Sequence, residues 1–152
     1  MFRGVNEVNI DAKGRIVMPT RYRERLQNES RGCVVATIDT EERCLLLYPL
    51  TAWEEIENKL AALPSFNSAA RRIQRLLIGH ATEAEIDGQG RILLPPVLRE
   101  YAELKKHALL IGQGKKFELW DEHCWEKRRG QWLLEESKPD SALPDEVKSL
   151  SL

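Results

Sequence analysis

Cysteine is scarce: Cys33, Cys44 and Cys124 are the only three in 152 residues. Their number is odd and no Cys-x-x-Cys spacing occurs. That excludes a disulfide framework and a zinc knuckle, and leaves reduced, partly buried thiols. His123 adjoins Cys124, but two neighbouring ligands do not make a metal site; neither a metal nor another cofactor is expected. No stretch approaches the roughly 18 consecutive apolar residues that cross a bilayer. Met1-Phe2-Arg3-Gly4-Val5-Asn6 lacks the apolar run of a secretion signal, so a cytoplasmic protein with no membrane partner is expected. No nucleophile with its base, metal-ligand set or phosphate loop stands out, which argues against an enzyme and a small-molecule substrate. Gly112-Gln113-Gly114 has half of a dinucleotide fingerprint, yet no helix should follow it, and a hairpin turn accounts for it. An excess of either charge is also missing, with 23 Lys and Arg against 24 Asp and Glu.

That balance hides a local asymmetry. From Met1 to Arg31 there are seven basic and four acidic residues, a net +3, whereas Gly32 to Ser68 carries two basic and six acidic, a net −4. Any footprint for a polyanion is therefore local, and the amino-terminal segment is where to seek it.

What the chain does have is an internal repeat. Ile10-Asp11-Ala12-Lys13-Gly14-Arg15-Ile16-Val17-Met18-Pro19 returns 76 residues later as Ile86-Asp87-Gly88-Gln89-Gly90-Arg91-Ile92-Leu93-Leu94-Pro95. Arg23-Glu24 recurs as Arg99-Glu100, and eight of the 15 positions from Ile10 to Glu24 are identical. The halves are duplicates. Cys33 to Ile38 and Ala108 to Ile111 are equivalent β-rich runs. Cys44 to Tyr48 and Lys116 to Trp120 match as a further strand, each leading to a Trp-Glu pair, Trp53-Glu54 and Trp125-Glu126. The offset there has fallen to 72, so the second hairpin loop is four residues shorter. Each copy reads as strand, turn, strand, short helix, strand, loop, strand, helix.

In Asp-x-x-Gly-Arg the Asp can bond amides two residues on, and the Gly accepts a positive φ. Gly14 and Gly90 are therefore expected to form tight reversals. Pro19 and Pro95 suit the first turn of a helix. Thr51-Ala52-Trp53-Glu54 fits a capping box before a helix with Trp53, Ile56, Leu60 and Leu63 on one face. Ala69 to Ile78 reads as another helix, stopped by Gly79; its Arg71, Arg72 and Arg75 suit a solvated face or a subunit contact. His80 and His107 read as structural, and Trp53, Trp120, Trp125 and Trp132 as core or interface. One half alone buries too little surface to be stable, so the halves should interlock. The expected fold is α+β, mainly β: a closed, pseudo-two-fold barrel of two tandem repeats with flanking helices, its strand edges hidden. The expected division is a first repeat at 5–52, connecting helices at 53–80, a second repeat at 81–124, and a C-terminal helix and tail at 125–152. The tail from Ser137 is expected to be mobile in part.

Arg15 and Arg91 stand out chemically. Each follows a Gly at the start of a strand, so each guanidinium is held near a loop tip. It can present a rigid fork of donors to phosphate or guanine, or it can pair with Asp11 or Asp87 four residues earlier. Lys13 adds a charge where the second turn has Gln89, so the first turn is the better candidate for DNA. As turn-formers, Asp11 and Asp87 need no role as a catalytic carboxylate pair.

The doubled Asp-x-x-x-Arg turns, Asp11 to Arg15 and Asp87 to Arg91, resemble those of the MraZ family. So do Met1-Phe2-Arg3-Gly4 and Arg75-Leu76-Leu77-Ile78-Gly79-His80-Ala81, and the likeness runs to about Trp132. The resemblance implies tandem SpoVT-AbrB-like repeats in a swapped-hairpin barrel, assembled into a closed ring homo-oligomer. It further implies a nucleoid-associated transcription regulator, commonly a repressor, of its own division and cell-wall gene cluster. The implied partner is double-stranded DNA with short direct repeats, contacted through Asp11, Lys13, Arg15, Asp87 and Arg91. Gln89 puts an equal share for the second turn in doubt. Two other readings stand beside it. One is a protein-interaction module that uses the barrel only to assemble; the other is an antitoxin-like binder whose tail after Ser137 docks a partner protein.

Overall fold

The first copy runs β1 (Phe2–Asn9), β2 (Arg15–Val17), α1 (Thr20–Ser30), β3 (Cys33–Ile38), β4 (Leu45–Pro49) and α2 (Leu50–Ala61), and α3 (Ser68–His80) follows it. The pattern returns as β5 (Thr82–Glu85), β6 (Arg91–Leu93), α4 (Pro96–Tyr101), β7 (His107–Gly114), β8 (Lys116–Asp121) and α5 (Glu122–Glu136), with α6 (Asp145–Lys148) in the tail. This computed structural model describes residues 1–139 and 143–152. The expectation of a mobile tail falls in part on residues 140–142, outside the described residues. Met1–Glu122 forms one compact unit and His123–Leu152 a second. Within the second, Trp125 and Trp132 meet edge to face at 5.9 Å, and the Arg128 guanidinium lies over Trp132. Among the described residues no helix is long and apolar enough to cross a membrane.

In the first unit six strands form one antiparallel sheet in the order β1-β7-β8-β4-β3-β5. Exchanging the two copies leaves that order unchanged. β1 of the first copy lies on β7 of the second, and β5 of the second lies on β3 of the first, so each copy lends its first strand to the other. β2 and β6 leave the sheet and pair together, with Arg15 opposite Leu93, Ile16 opposite Ile92 and Val17 opposite Arg91.

The architecture is thus mixed α+β and mainly antiparallel, but the expected closed barrel is not formed. β2 and β6, three residues each, satisfy each other's backbone as a separate ribbon, and β1 and β5 remain as edges. On β5 the exposed Glu83 and Glu85 alternate with half-buried Thr82 and Ala84, and charge on an edge strand opposes unwanted strand addition.

Alternation along the strands sorts the core into two layers. Val34, Ala36, Ile38, Leu45 and Leu47 face one cluster with Ile16 and Ile92 of the ribbon, Leu26 of α1 and Leu98 of α4. Val35, Leu46 and Tyr48 face the other, covered by Trp53, Ile56 and Leu60 of α2 and Leu77 of α3. Each buried side chain of this size contributes about 1.5–3 kcal/mol. Because the first cluster draws on both copies, that burial acts with the strand pairs β1–β7, β3–β5, β4–β8 and β2–β6 to hold the halves together.

Three local expectations are corrected. Pro19 and Pro95 sit one position before their helices with extended backbone, at ψ 136 and 151, and it is Pro96 that occupies the first turn of α4. Pro49 starts α2 in the same way, so Thr51 lies inside the helix and no side chain caps it. α3 passes through Gly79 to His80 and breaks at Ala81, where the chain becomes extended to enter β5. Gly79 does not take the left-handed backbone of a helix-ending glycine, so it imposes no stop. The start of α3 is set by Asn67, whose side chain accepts from the amides of Ala69 and Ala70 at 2.9 and 3.1 Å, a strong N-cap arrangement.

Candidate nucleic-acid interface

The two Asp-x-x-x-Arg turns are built alike. Asp11 Oδ1 accepts from the amides of Lys13 and Arg15, both at 2.9 Å, and Oδ2 accepts from Arg15 Nε at 2.8 Å. Asp87 repeats this with the amides of Gln89 and Arg91 at 2.9 Å and Arg91 Nε at 2.8 Å. Gly14 N donates to Asp11 O at 3.0 Å and Gly90 N to Asp87 O at 2.9 Å. Gly14 stands at φ +84 and Gly90 at φ +79, where a β-carbon is strained.

The arginine–aspartate pairing left open by the sequence is formed in both turns, but it does not consume the guanidinium. Only Nε is engaged; among the described residues the Nη atoms of Arg15 and Arg91 make no hydrogen bond. The two side chains are 25% and 29% exposed. The ion pair therefore aims a fork of free donors outward. The Arg15 amide is the largest influence holding the Asp11 carboxyl below its ordinary value. Its guanidinium and the Lys13 amide act in the same direction, against a desolvation that raises it. Asp87 is lowered in the same way by Arg91 and Gln89. Both carboxylates are ionised at neutral pH.

Arg15 and Val17 occupy the exposed face of the ribbon with Leu93 and Arg91, over the buried Ile16 and Ile92. Val17 is 46% and Leu93 55% exposed, a sizeable apolar exposure between two arginines. Lys13 is exposed at the tip of the first turn.

Arg23 and Arg99 served in the sequence only as markers of duplication. In the fold each crosses to the other copy. Arg99 Nε donates to Leu94 O at 3.0 Å while its guanidinium covers Gly14, where an added β-carbon would stand 2.6 Å from Cζ. Arg23 Nε donates to Met18 O at 2.7 Å and covers Gly90, where the same atom would stand 2.3 Å from Cζ. Met18 N donates to Gly90 O at 2.7 Å and Leu94 N to Gly14 O at 2.9 Å, completing the exchange. Each turn is thus braced by the other repeat.

Elsewhere, Arg71, Arg72 and Arg75 are exposed on α3. His80 Nδ1 is hydrogen-bonded with Leu76 O at 2.7 Å, and His107 Nδ1 with Asn9 Oδ1 at 3.0 Å. Asp39, Cys44 and Glu118 bring three metal-type donor atoms together, a grouping no sequence spacing announces. Cys44 is fully buried, and that burial pushes its thiol far above the ordinary value; the thiol contacts Asp39 Oδ2 at 3.9 Å. Burial also raises Glu118, which accepts from Trp120 Nε1 at 2.9 Å. Taking up an ion there requires the thiol to lose its proton against this environment. His123 and Cys124 are not part of that group.

A family model described as "MraZ protein, putative antitoxin-like" matches twice in tandem, over residues 1–76 and 77–142. The chain is 59% identical over 152 residues to a protein of Halorhodospira halophila, 60% identical to one of Coxiella burnetii and 58% identical to one of Legionella pneumophila. Each comparison covers 100% of both chains, and each of these relatives is named Transcriptional regulator MraZ.

Proposed function

The chain belongs to the MraZ family, and from that premise we propose that it is a non-enzymatic transcription regulator that grips DNA through its paired turns. The observation that carries this reading is the ribbon face on which Arg15 and Arg91 stand diagonally, each tied at Nε and free at both Nη atoms. A two-stranded ribbon fits the major groove, and a guanidinium fork matches the O6 and N7 acceptors of guanine. Lys13 strengthens the first turn, and Asp11 and Asp87 act by orienting their arginines. The crosswise lending of β1 and β5 supports reading residues 5–52 and 81–124 as SpoVT-AbrB-like repeats with swapped hairpins. Residues 53–80 then connect them, and 125–152 follow.

One subunit of net charge −1 offers few phosphate contacts, and few contacts hold DNA weakly at physiological salt. A closed ring of subunits repeats the turns around a rim, and linkage raises affinity by about 10²–10⁴. Such a rim suits direct repeats spaced by about 10 base pairs, one helical turn. In the cytoplasm, on the nucleoid, it represses the promoter of its own division and cell-wall gene cluster. Sequencing the DNA fragments retained by the purified protein tests the reading, followed by affinity measurements on one, two and three in-phase boxes. Affinity should climb steeply with box number and fall when half a helical turn is inserted. Equal affinity for one box and three, or tight binding by a sedimenting monomer, overturns the multivalent mechanism; failure to retard any DNA at low salt overturns the reading as a whole.

A further inference from the structure

An open cavity of about 520 Å³ lies beside the first turn, between Asp11 and the Arg99, Lys105 and Lys106 side of the second copy. Lys106 O accepts from Ile10 N at 2.8 Å and Leu104 N donates to Arg99 O at 2.9 Å, so the loop between α4 and β7 is fixed against the turn. Asp11, the one acid lining the cavity, is already bonded to Arg15 and to two amides. Glu100 and Glu103 line an adjoining cavity that shares Arg99, Leu104 and Lys105 with this one, so Lys106 is the cation set farthest from them. Lys105 and Lys106 are exposed, and among the described residues neither forms an ion pair. At the equivalent place in the other copy Ile86 N donates to Gly32 O at 2.9 Å. Gly32 thus stands where Lys106 does, while Arg31, left-handed at φ 55 after α1, corresponds to Glu103 at φ 53 after α4. The loop beside the second turn carries Arg31 alone where the first has Lys105 and Lys106 together with Glu103, and Gln89 stands in place of Lys13.

We propose that Lys105 and Lys106, with Arg99 behind them, form a cradle for backbone phosphates of the DNA strand that the first turn engages. The proposal rests on the DNA-binding reading and adds a site contributed by the second copy to the turn of the first. Two ammonium groups on a fixed loop neutralise phosphates without reading bases. They lie outside both Asp-x-x-x-Arg motifs. The cradle also gives the first turn a functional asymmetry that its own residues only begin.

The test is a salt titration of the full-length protein on a random-sequence duplex, followed by fluorescence anisotropy. K105A/K106A should make the slope of log affinity against log salt shallower by about two per engaged turn, with the melting temperature unchanged because only the backbone of Lys106 holds the turn. K105R/K106R should retain the slope of the parent chain. Lys115→Ala, at the opposite end of β7, should also leave it unchanged. An unaltered slope in K105A/K106A, alongside normal binding by the parent chain, overturns the cradle and leaves the DNA-binding reading intact. An equal fall in Lys115→Ala overturns it as well, by showing a general field in place of a contact. If the parent chain binds no duplex, the reading beneath it fails first.

Discussion

Asp11 and Asp87 brace their turns with the same three bond lengths, 2.9 and 2.9 Å from two amides and 2.8 Å from the arginine Nε, and each turn has a glycine covered by an arginine of the other copy. Around that shared frame the charges differ. The first turn carries Lys13 and sits against Lys105 and Lys106; the second carries Gln89 and sits against Arg31 and Gly32. Duplication has kept the backbone construction, which the fold needs twice, and has let the electrostatics diverge. Stability and DNA affinity should therefore respond differently to matched substitutions in the two turns.

The largest effect is expected at the glycines, and it should be symmetric. Gly14→Val and Gly90→Val each place a branched side chain at positive φ, a strain of about 1–3 kcal/mol, and each displaces the arginine that bridges the copies. For a chain of this size each kcal/mol lowers the melting temperature by about 2–4 °C, so calorimetry should show a fall of several degrees in both. Unequal falls would mean that the turns are not equivalent as structural elements.

Arginine removal should separate the copies. Arg15→Ala should keep the melting temperature within a few degrees and cost about 1–3 kcal/mol of DNA affinity per engaged subunit if a guanine is read. Arg91→Ala should do the same more mildly. Matched losses in gel-shift titrations would place both turns on DNA equally and remove the asymmetry; normal binding by Arg15→Ala would remove Arg15 from the interface.

How far these features could be read from the sequence depends on the range of the interaction. The order of elements in each copy follows from local periodicity and from the exact spacing of the duplicate. Asp-x-x-Gly-Arg encloses its own bonds within five residues, so the spacing alone suggests a reversal. The sheet order does not follow in that way. Whether β2 pairs with β6 or closes onto an edge strand depends on partners 76 residues apart, and the chain left β1 and β5 open. The helix starts are not fixed by the prolines, because proline, with its fixed φ, serves as an extended residue before the helix, as Pro19, Pro49 and Pro95 do, as readily as in its first turn. Arg23 and Arg99 were visible as an echo, but their targets, Gly90 and Gly14, lie in the opposite copy.

Exchanging the tips should sharpen the comparison by a smaller step. Lys13→Gln makes the first turn resemble the second, and Gln89→Lys does the reverse. Each change should move the salt slope by about one per contact, downward for the first and upward for the second, with no change in melting temperature. A slope indifferent to Gln89→Lys would show that the second turn stands away from the phosphates.

The smallest expected effect is on acid stability, and here the turns should again behave alike. Each carboxyl is held below its ordinary value, first by the amide of the arginine four residues on. A carboxyl with a lowered folded pKa binds fewer protons in the native state than in the unfolded chain. Its contribution is therefore fully present above the unfolded value and is lost as pH falls through the folded one. Asp11→Asn removes the charge and the bond from Arg15 Nε while keeping an oxygen that can accept both amides. The melting temperatures of the parent chain and Asp11→Asn should differ by a constant amount from about pH 7 down to about pH 5, above the aspartate range, and should converge as the pH drops below about 4. Asp87→Asn should trace the same curve, since neither carboxylate is buried and the same three donors hold each one. A gap that persists unchanged to acid pH would show that the shape of the side chain, and not its charge, holds the reversal. A gap that closes for one turn only would show that the nearby lysines, and not the shared frame, set the behaviour of the first.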